Sequence, residues 1–153
     1  MEKIVIKRIT SEEECDLCDE FLTKLNSYES QFDEVLESGF KFSEIHKRSL
    51  KNDYTYLAIA SCDNPVGYVF AYLKNVKGKV HNTNIVEIEA LFVEDGYRGK
   101  KIGKELVDSV FCWAKECFGD DFVIELHAIN NNVNAISFYK HLGFKEVRTV
   151  FRK

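Results

Sequence analysis

The chain is short of several things, and each shortage excludes a class of protein. One proline and eight glycines in 153 residues are too few for a collagen-like repeat or a linker-rich chain. No apolar run approaches the roughly 20 residues that span a bilayer. The first residues, MEKIVIKRITSEEE, lack the apolar stretch of a signal segment, so a soluble, cytoplasmic protein with no membrane partner is expected. There is no basic excess: 21 Lys and Arg against 25 Asp and Glu give a formal charge of −4, which argues against a nucleic-acid partner. The five cysteines (Cys15, Cys18, Cys62, Cys112, Cys117) form an odd, scattered set and no disulfide framework. Cys15 and Cys18 read C-x-x-C, but no second such pair and no H-x-x-x-H accompanies them. Reduced thiols, mostly in the core, are expected there, and no metal site. None of His46, His81, His127 or His141 has ligand spacing either.

What is present fits one domain over residues 1–153. A chain of this size can bury about 68–70% of its unfolded surface, and 45% hydrophobic residues suffice for a core. Lys3–Ile9 alternates as a half-buried strand does. Thr10-Ser11 followed by Glu12-Glu13-Glu14 reads as a helix cap with first-turn acids, and Leu17, Phe21, Leu22 and Leu25 continue at helical spacing. A second helix is expected over Phe42–Lys51. Strands follow at Tyr54–Ser61 and Val66–Leu73, joined by the turn Cys62-Asp63-Asn64-Pro65. After a turn at Lys77-Gly78-Lys79 comes a strand over Ile85–Val93. A long helix spans Ile102–Phe118, with Ile102, Leu106, Val110, Trp113 and Cys117 on one side. Phe122–His127 is a short buried strand, Val133–His141 a helix stopped near Gly143, and Phe144–Phe151 a last strand. Hairpins together with one strand–helix–strand crossover imply an α/β (α+β) fold, a mixed sheet with helices on both faces.

The charge is unevenly placed. Residues 11–38 hold ten acids and one base, a local charge of −9 inside an otherwise slightly basic chain. The stretch Ile85–Glu105, IVEIEALFVEDGYRGKKIGKE, runs strand, tight turn, helix start. Backbone N–H groups at a helix N-terminus have no intrahelical partner and lie at the positive end of the dipole, which suits phosphates. Gly99 and Gly103 remove bulk there, and Arg98, Lys100, Lys101 and Lys104 add positive charge. The spacing is not Walker A, and G-x-G-x-x-G is absent. A solvated basic helix start is the alternative reading.

Arg98-Gly99-Lys100-Lys101-Ile102-Gly103, after the strand end Leu91-Phe92-Val93, resembles the acyl-CoA loop of the GNAT N-acetyltransferases, Arg/Gln-x-x-Gly-x-Gly/Ala after Leu-x-Val. Asn132-Val133-Asn134-Ala135-Ile136-Ser137-Phe138-Tyr139-Lys140-His141-Leu142-Gly143-Phe144 is similar to that family's second signature, N-x-x-A-I-x-F-Y-x-x-x-G-F. The motifs come closest to the small-molecule amine and polyamine acetyltransferases. Two departures stand out: Lys101 replaces the first motif glycine, and little chain follows Phe144 for the usual last strands. A Lys101 with helical dihedrals could still donate its N–H.

The resemblance implies a mostly antiparallel sheet of six to seven strands and acetyl transfer from acetyl-CoA to a primary amine. The acceptor implied is a cationic small molecule, polyamine or aminoglycoside-like; a homodimer is possible. Leu91, Phe92, Val93, residues 98–104 (Arg98, Gly99, Lys100, Lys101, Ile102, Gly103 and Lys104), Asn132 and Ala135 would hold the cosubstrate. Leu91 and Val93 would offer backbone groups as an added strand does. Tyr139 matches the family's thiolate-protonating tyrosine. The alternation of strand 85–93 sets Val86, Ile88, Ala90 and Phe92 on one face and Ile85, Glu87, Glu89, Leu91 and Val93 on the other. Desolvation and a like neighbour raise a carboxylate pKa, which suits a general base. Glu89, two residues before Leu91 as in the polyamine enzymes, is the first candidate and Glu87 the second; a solvated polar face fits the same pattern. A non-catalytic acyl-CoA-binding module on this fold is the alternative function.

Overall fold

The computed structural model describes residues 3–78 and 80–153. Five strands form one sheet in chain order: β1 (Val5–Arg8), β2 (Thr55–Ser61), β3 (Pro65–Asn75), β4 (Asn84–Val93) and β5 (Phe122–Leu126). The first four pair antiparallel, and β5 runs parallel to β4. The crossover from β4 to β5 carries helix α3 (Ile102–Phe118). Helices α1 (Cys15–Glu29) and α2 (Ile45–Ser49) precede β2, and α4 (Val133–His141) follows β5. Among the described residues no helix is long and apolar enough to cross a membrane.

Each face of the sheet has its own core. On one side, Tyr56, Ala58, Val69, Ala71, Val86 and Ile88 meet Ile102, Leu106, Val107, Val110 and Trp113 of α3. Their spacing along α3 is that of one helical stripe, and burying each of the four aliphatics contributes about 1.5–3 kcal/mol. On the other side, Leu57, Ile59, Tyr68, Phe70, Ala90 and Phe92 meet Cys15, Cys18 and Phe21 of α1. Cys15, Cys18 and Cys62 are buried and Cys112 and Cys117 exposed, all as free thiols. Burial pushes the Cys15 and Cys18 thiols up, away from the reactive thiolate.

Three local expectations are corrected, and a fourth lies partly outside the described residues. Phe144–Phe151 forms no strand; the sheet ends at β5 and holds five strands rather than six or seven. Its alternation is real, but Val147, Val150 and Phe151 are exposed, and Arg152 reaches Asp33 with a two-pronged ion pair at 2.8 and 3.2 Å. A strand needs a pairing partner, and the segment pairs with no described strand, leaving the outer edge of β5 open. The second helix shrinks to Ile45–Ser49, because Glu44 before it is left-handed, with φ 61°. Ser11 makes no side-chain cap, and a 3-10 turn over Glu12–Glu14 leads into α1 instead. The turn at Lys77-Gly78-Lys79 includes Lys79, outside the described residues; Gly78 bridges to His81.

Candidate active site

The decisive local event lies in β4. Phe70 of β3 pairs with Ala90, but Ala71 pairs with Ile88, so Glu89 is an extra residue, a β-bulge. A bulge shifts the side-chain alternation by one residue. Leu91 and Val93 therefore pack with Val86 and Ile88 towards α3, while Ala90 and Phe92 pack towards α1. The strict alternation expected from the sequence fails beyond Ile88 for this reason. Close approach of β3 at the strand end depends on Gly67, where a Cβ would lie 2.7 Å from the Phe92 carbonyl oxygen.

Beyond the bulge, the two parallel strands part. The last β4–β5 partners are Ile88 and Leu126. The Glu94 N–H donates to Val66 O at 2.8 Å, which marks that pair as hydrogen-bonded. Alternation in an antiparallel ladder then assigns Phe92 and Ala90 to β3, and turns the N–H and C=O groups of Leu91 and Val93 towards the gap left by β5. An extended amide-bearing ligand could pair there.

The two candidate carboxylates converge on one hydroxyl. Tyr72 Oη lies 2.7 Å from Glu87 Oε2 and 3.5 Å from Glu89 Oε2. Their surroundings differ. Glu87 is 4% exposed and fully engaged, by Tyr72, by His127 Nδ1 at 2.8 Å and by Lys74 Nζ at 3.8 Å. Glu89 is exposed to a cavity of about 440 Å³ between α1, α2, β3 and β4, and among the described residues it has no nearer partner than Tyr72. A third carboxylate, Glu29 at the end of α1, lines the same cavity. Burial first, and Glu89 second, push its pKa above the usual carboxylate value. The sequence offered Glu29 only as part of an acidic count; Tyr72 and His127 carried no signal at all.

At the start of α3, the backbone N–H groups of Gly99 to Lys104 donate to no described protein group, and the first helical bond is Glu105 N–H to Lys101 O at 3.0 Å. Gly99 is left-handed, with φ 80°. So is Lys101, with φ 66° and ψ 8°, so the condition of right-handed helical dihedrals is not met, and the conformation explains why the family pattern has glycine there. The four basic side chains do not converge. Arg98 Nε donates to Val93 O at 3.0 Å and its guanidinium stacks 4.5 Å from the Tyr28 ring centre. Lys104 pairs with Asp108 at 2.6 Å. Lys100 and Lys101 have no ion pair among the described residues. Gly103 also has a different task from the one expected: a Cβ there would sit 3.0 Å from the Phe138 ring of α4, so it admits a helix neighbour. Ile102 and Phe92 are core residues, 1% and 6% exposed.

On α4, Asn132 caps the helix, its Oδ1 accepting from Ala135 N–H at 3.3 Å. Tyr139 packs edge-on to Phe138 and Phe144. Burial, then the Glu29 charge, hold its phenol well above the ordinary value. The group therefore keeps its proton at neutral pH.

Comparison with known proteins decides the kinship of this arrangement. The pattern of the acetyltransferase (GNAT) family matches residues 18–144. The chain belongs to the GNAT family. An uncharacterized N-acetyltransferase of Methanocaldococcus jannaschii is 35% identical over 86 residues, 56% of this chain. The match spans only 37% of that longer relative. Among solved structures, a mutant protein from Bacillus halodurans superposes with a TM-score of 0.81 at 16% identity, covering 97% of this chain and 98% of that one. An aminoglycoside N-acetyltransferase solved with CoA gives 0.74 at 17% identity, with the same coverage. Another, from an uncultured soil sample and solved with sisomicin, gives 0.68 at 20% identity, covering 98% and 95%. At these identities the likeness speaks for the GNAT fold.

Proposed function

We propose that this GNAT protein transfers an acetyl group from acetyl-CoA to the primary amine of a cationic small molecule. The observation that carries the reading is the parted end of β4. There, the backbone groups of Leu91 and the N–H of Val93, left unpaired by β5, lie along the chain between the unbonded N–H groups at residues 99–104 and the exposed Glu89 carboxylate, while Val93 O is taken by Arg98. The residues present suit the cosubstrate: an amide-bearing arm can pair along β4, and a pyrophosphate can take N–H groups at a helix start. Lys100 and Lys101 are the cations left to support it.

An alkyl ammonium has a pKa near 10.4, so freeing its lone pair at neutral pH costs on the order of 4 kcal/mol. Glu89 takes that proton. The amine nitrogen attacks the thioester carbonyl carbon, and the carbon–sulfur bond breaks. Tyr139 gives its proton to the departing sulfur. Glu87, held by three partners, fixes Tyr72 and is the weaker candidate for base. An exposed carboxylate at Glu89 together with a phenol at Tyr139 that keeps its proton favours an enzyme over a pure acyl-CoA-binding module.

The test is CoA-thiol release over a panel of amines, beside a melting curve with acetyl-CoA. A ligand at 100 times its Kd stabilises the native state by about 2.7 kcal/mol. Stabilisation with amine-dependent thiol release is the expected result. Stabilisation without it would identify a binding module, and no stabilisation at saturating acetyl-CoA would refute the cosubstrate.

A further inference from the structure

The lining of the acceptor-side cavity narrows the amine. Its walls are carbon: Leu22 and Leu25 of α1, Phe42 and Ile45 beside and in α2, and Phe70 and Tyr72 of β3. The Phe70 and Tyr72 rings lie 5.8 Å apart and inclined by 31°, a broad aromatic floor. The polar lining is Asn26, Glu29 and Glu89. Asn26 gives one amide N–H to Glu37 O at 2.8 Å, and the Tyr72 hydroxyl is turned to Glu87. The charged lining is two carboxylates, both acceptors, close enough that Glu89 raises the pKa of Glu29. Among the described residues the Glu29 carboxylate has no hydrogen bond or ion pair.

We infer that the acceptor is a primary monoamine on an apolar alkyl or aryl body, and that Glu29 is the residue that selects its ammonium. This rests on the acetyl-transfer reading. A half-buried, unpartnered carboxylate in a carbon-walled cavity is stabilised by one compact cation. Glu29 holds the incoming ammonium, and Glu89 at the bulge then removes its proton. The apolar body covers the leucines and the aromatic floor. A polyhydroxylated aminoglycoside would bury hydroxyls against the carbon of Leu25 and Phe70, which offers them no hydrogen-bond partner. A polyamine would bring a second charge into the carbon wall. Both classes, the ones motif and charge led us to expect, therefore fit this lining less well than an apolar monoamine does.

The test compares 2-phenylethylamine and hexylamine with spermidine and sisomicin as acceptors, in wild type and in Glu29→Gln. Expected is a kcat/KM about tenfold or more higher for the apolar amines, the scale on which apolar pockets discriminate. Glu29→Gln should raise the KM for 2-phenylethylamine about tenfold, while the acetyl-CoA KM and the acetyl-CoA-induced rise in Tm stay unchanged; the latter also confirms folding. Preference for spermidine or sisomicin, or an unmoved amine KM in Glu29→Gln, would overturn the inference and leave acetyl transfer standing. If no amine releases thiol, acetyl transfer fails instead, and calorimetry decides the site. Binding of 2-phenylethylamine to the CoA-saturated protein, weakened about tenfold by Glu29→Gln, supports it; no binding, or binding indifferent to the variant, refutes it.

Discussion

Replacing Lys101 by glycine should make the protein more stable. Lys101 sits at φ 66°, ψ 8°, immediately before α3. An L-residue in that region costs roughly 1–2 kcal/mol, which glycine avoids. Glycine also loosens the unfolded chain, which offsets about 0.4–1 kcal/mol of the gain. The net is about 0.5–1 kcal/mol, or a Tm rise of roughly 1–4 °C for a domain of this size. Lys101→Ala is the control, since it loses the same cation but keeps the strain and should give no gain. The assay is thermal unfolding of the three proteins, beside the acetyl-CoA KM at low and high salt. If the Lys101 cation assists the cosubstrate, both variants raise that KM two- to fivefold at about 10 mM salt, and the difference fades with screening. A Lys101→Gly protein less stable than Lys101→Ala would refute the assignment of strain to this residue.

Glu89→Gln should lower kcat by about two orders of magnitude, the scale of general-base catalysis, and keep acetyl-CoA-induced stabilisation; Glu87→Gln should lower it less, and an equal loss in both would remove Glu89's priority. Gly67→Ala should destabilise by about 1–3 kcal/mol or more in urea titrations, because its methyl meets the Phe92 carbonyl at 2.7 Å, and an unchanged midpoint would dispute the β3–β4 approach. His46 is fully buried, its Nδ1 2.5 Å from Asp19 Oδ1, and burial holds its pKa below the ordinary 6.5. The unfolded chain then binds the proton first, so stability should be independent of this group above pH 6.5 and should fall as pH drops below it. His46→Asn, which keeps a donor for Asp19 and does not titrate, should flatten that slope in urea titrations between pH 6.5 and 5; an identical slope would count against the assignment.

Much of the fold was written in local pattern. Alternation placed β2 to β5 within a few residues, and the stripe from Ile102 to Trp113 gave α3 its buried side. Both site motifs were legible, because a glycine before a helix and an Asn cap are local chemistry. Other features were not. The bulge at Glu89 is a fact about two strands, since one strand alternates perfectly until its partner skips a residue. Gly103 looked like room for a ligand and is room for Phe138. That Arg98 Nε donates to Val93 O and that Lys104 pairs with Asp108 was likewise not readable from the motif.

The sequence alone determined the family, the order of elements, the cosubstrate motifs and the pair Glu87 and Glu89 on which a base could be sought. It also determined that the acidity lies in residues 11–38, without saying which acid matters. Only the tertiary structure sorted these acids by their surroundings. It engaged Glu87, freed Glu89, and set Glu29 in the same carbon-walled cavity, 60 residues away along the chain. Periodicity and capping act over a few residues and are readable one segment at a time. Burial, pairing and the effect of one charge on another belong to segments brought together by folding, so they exist only once the sheet and α1 have met.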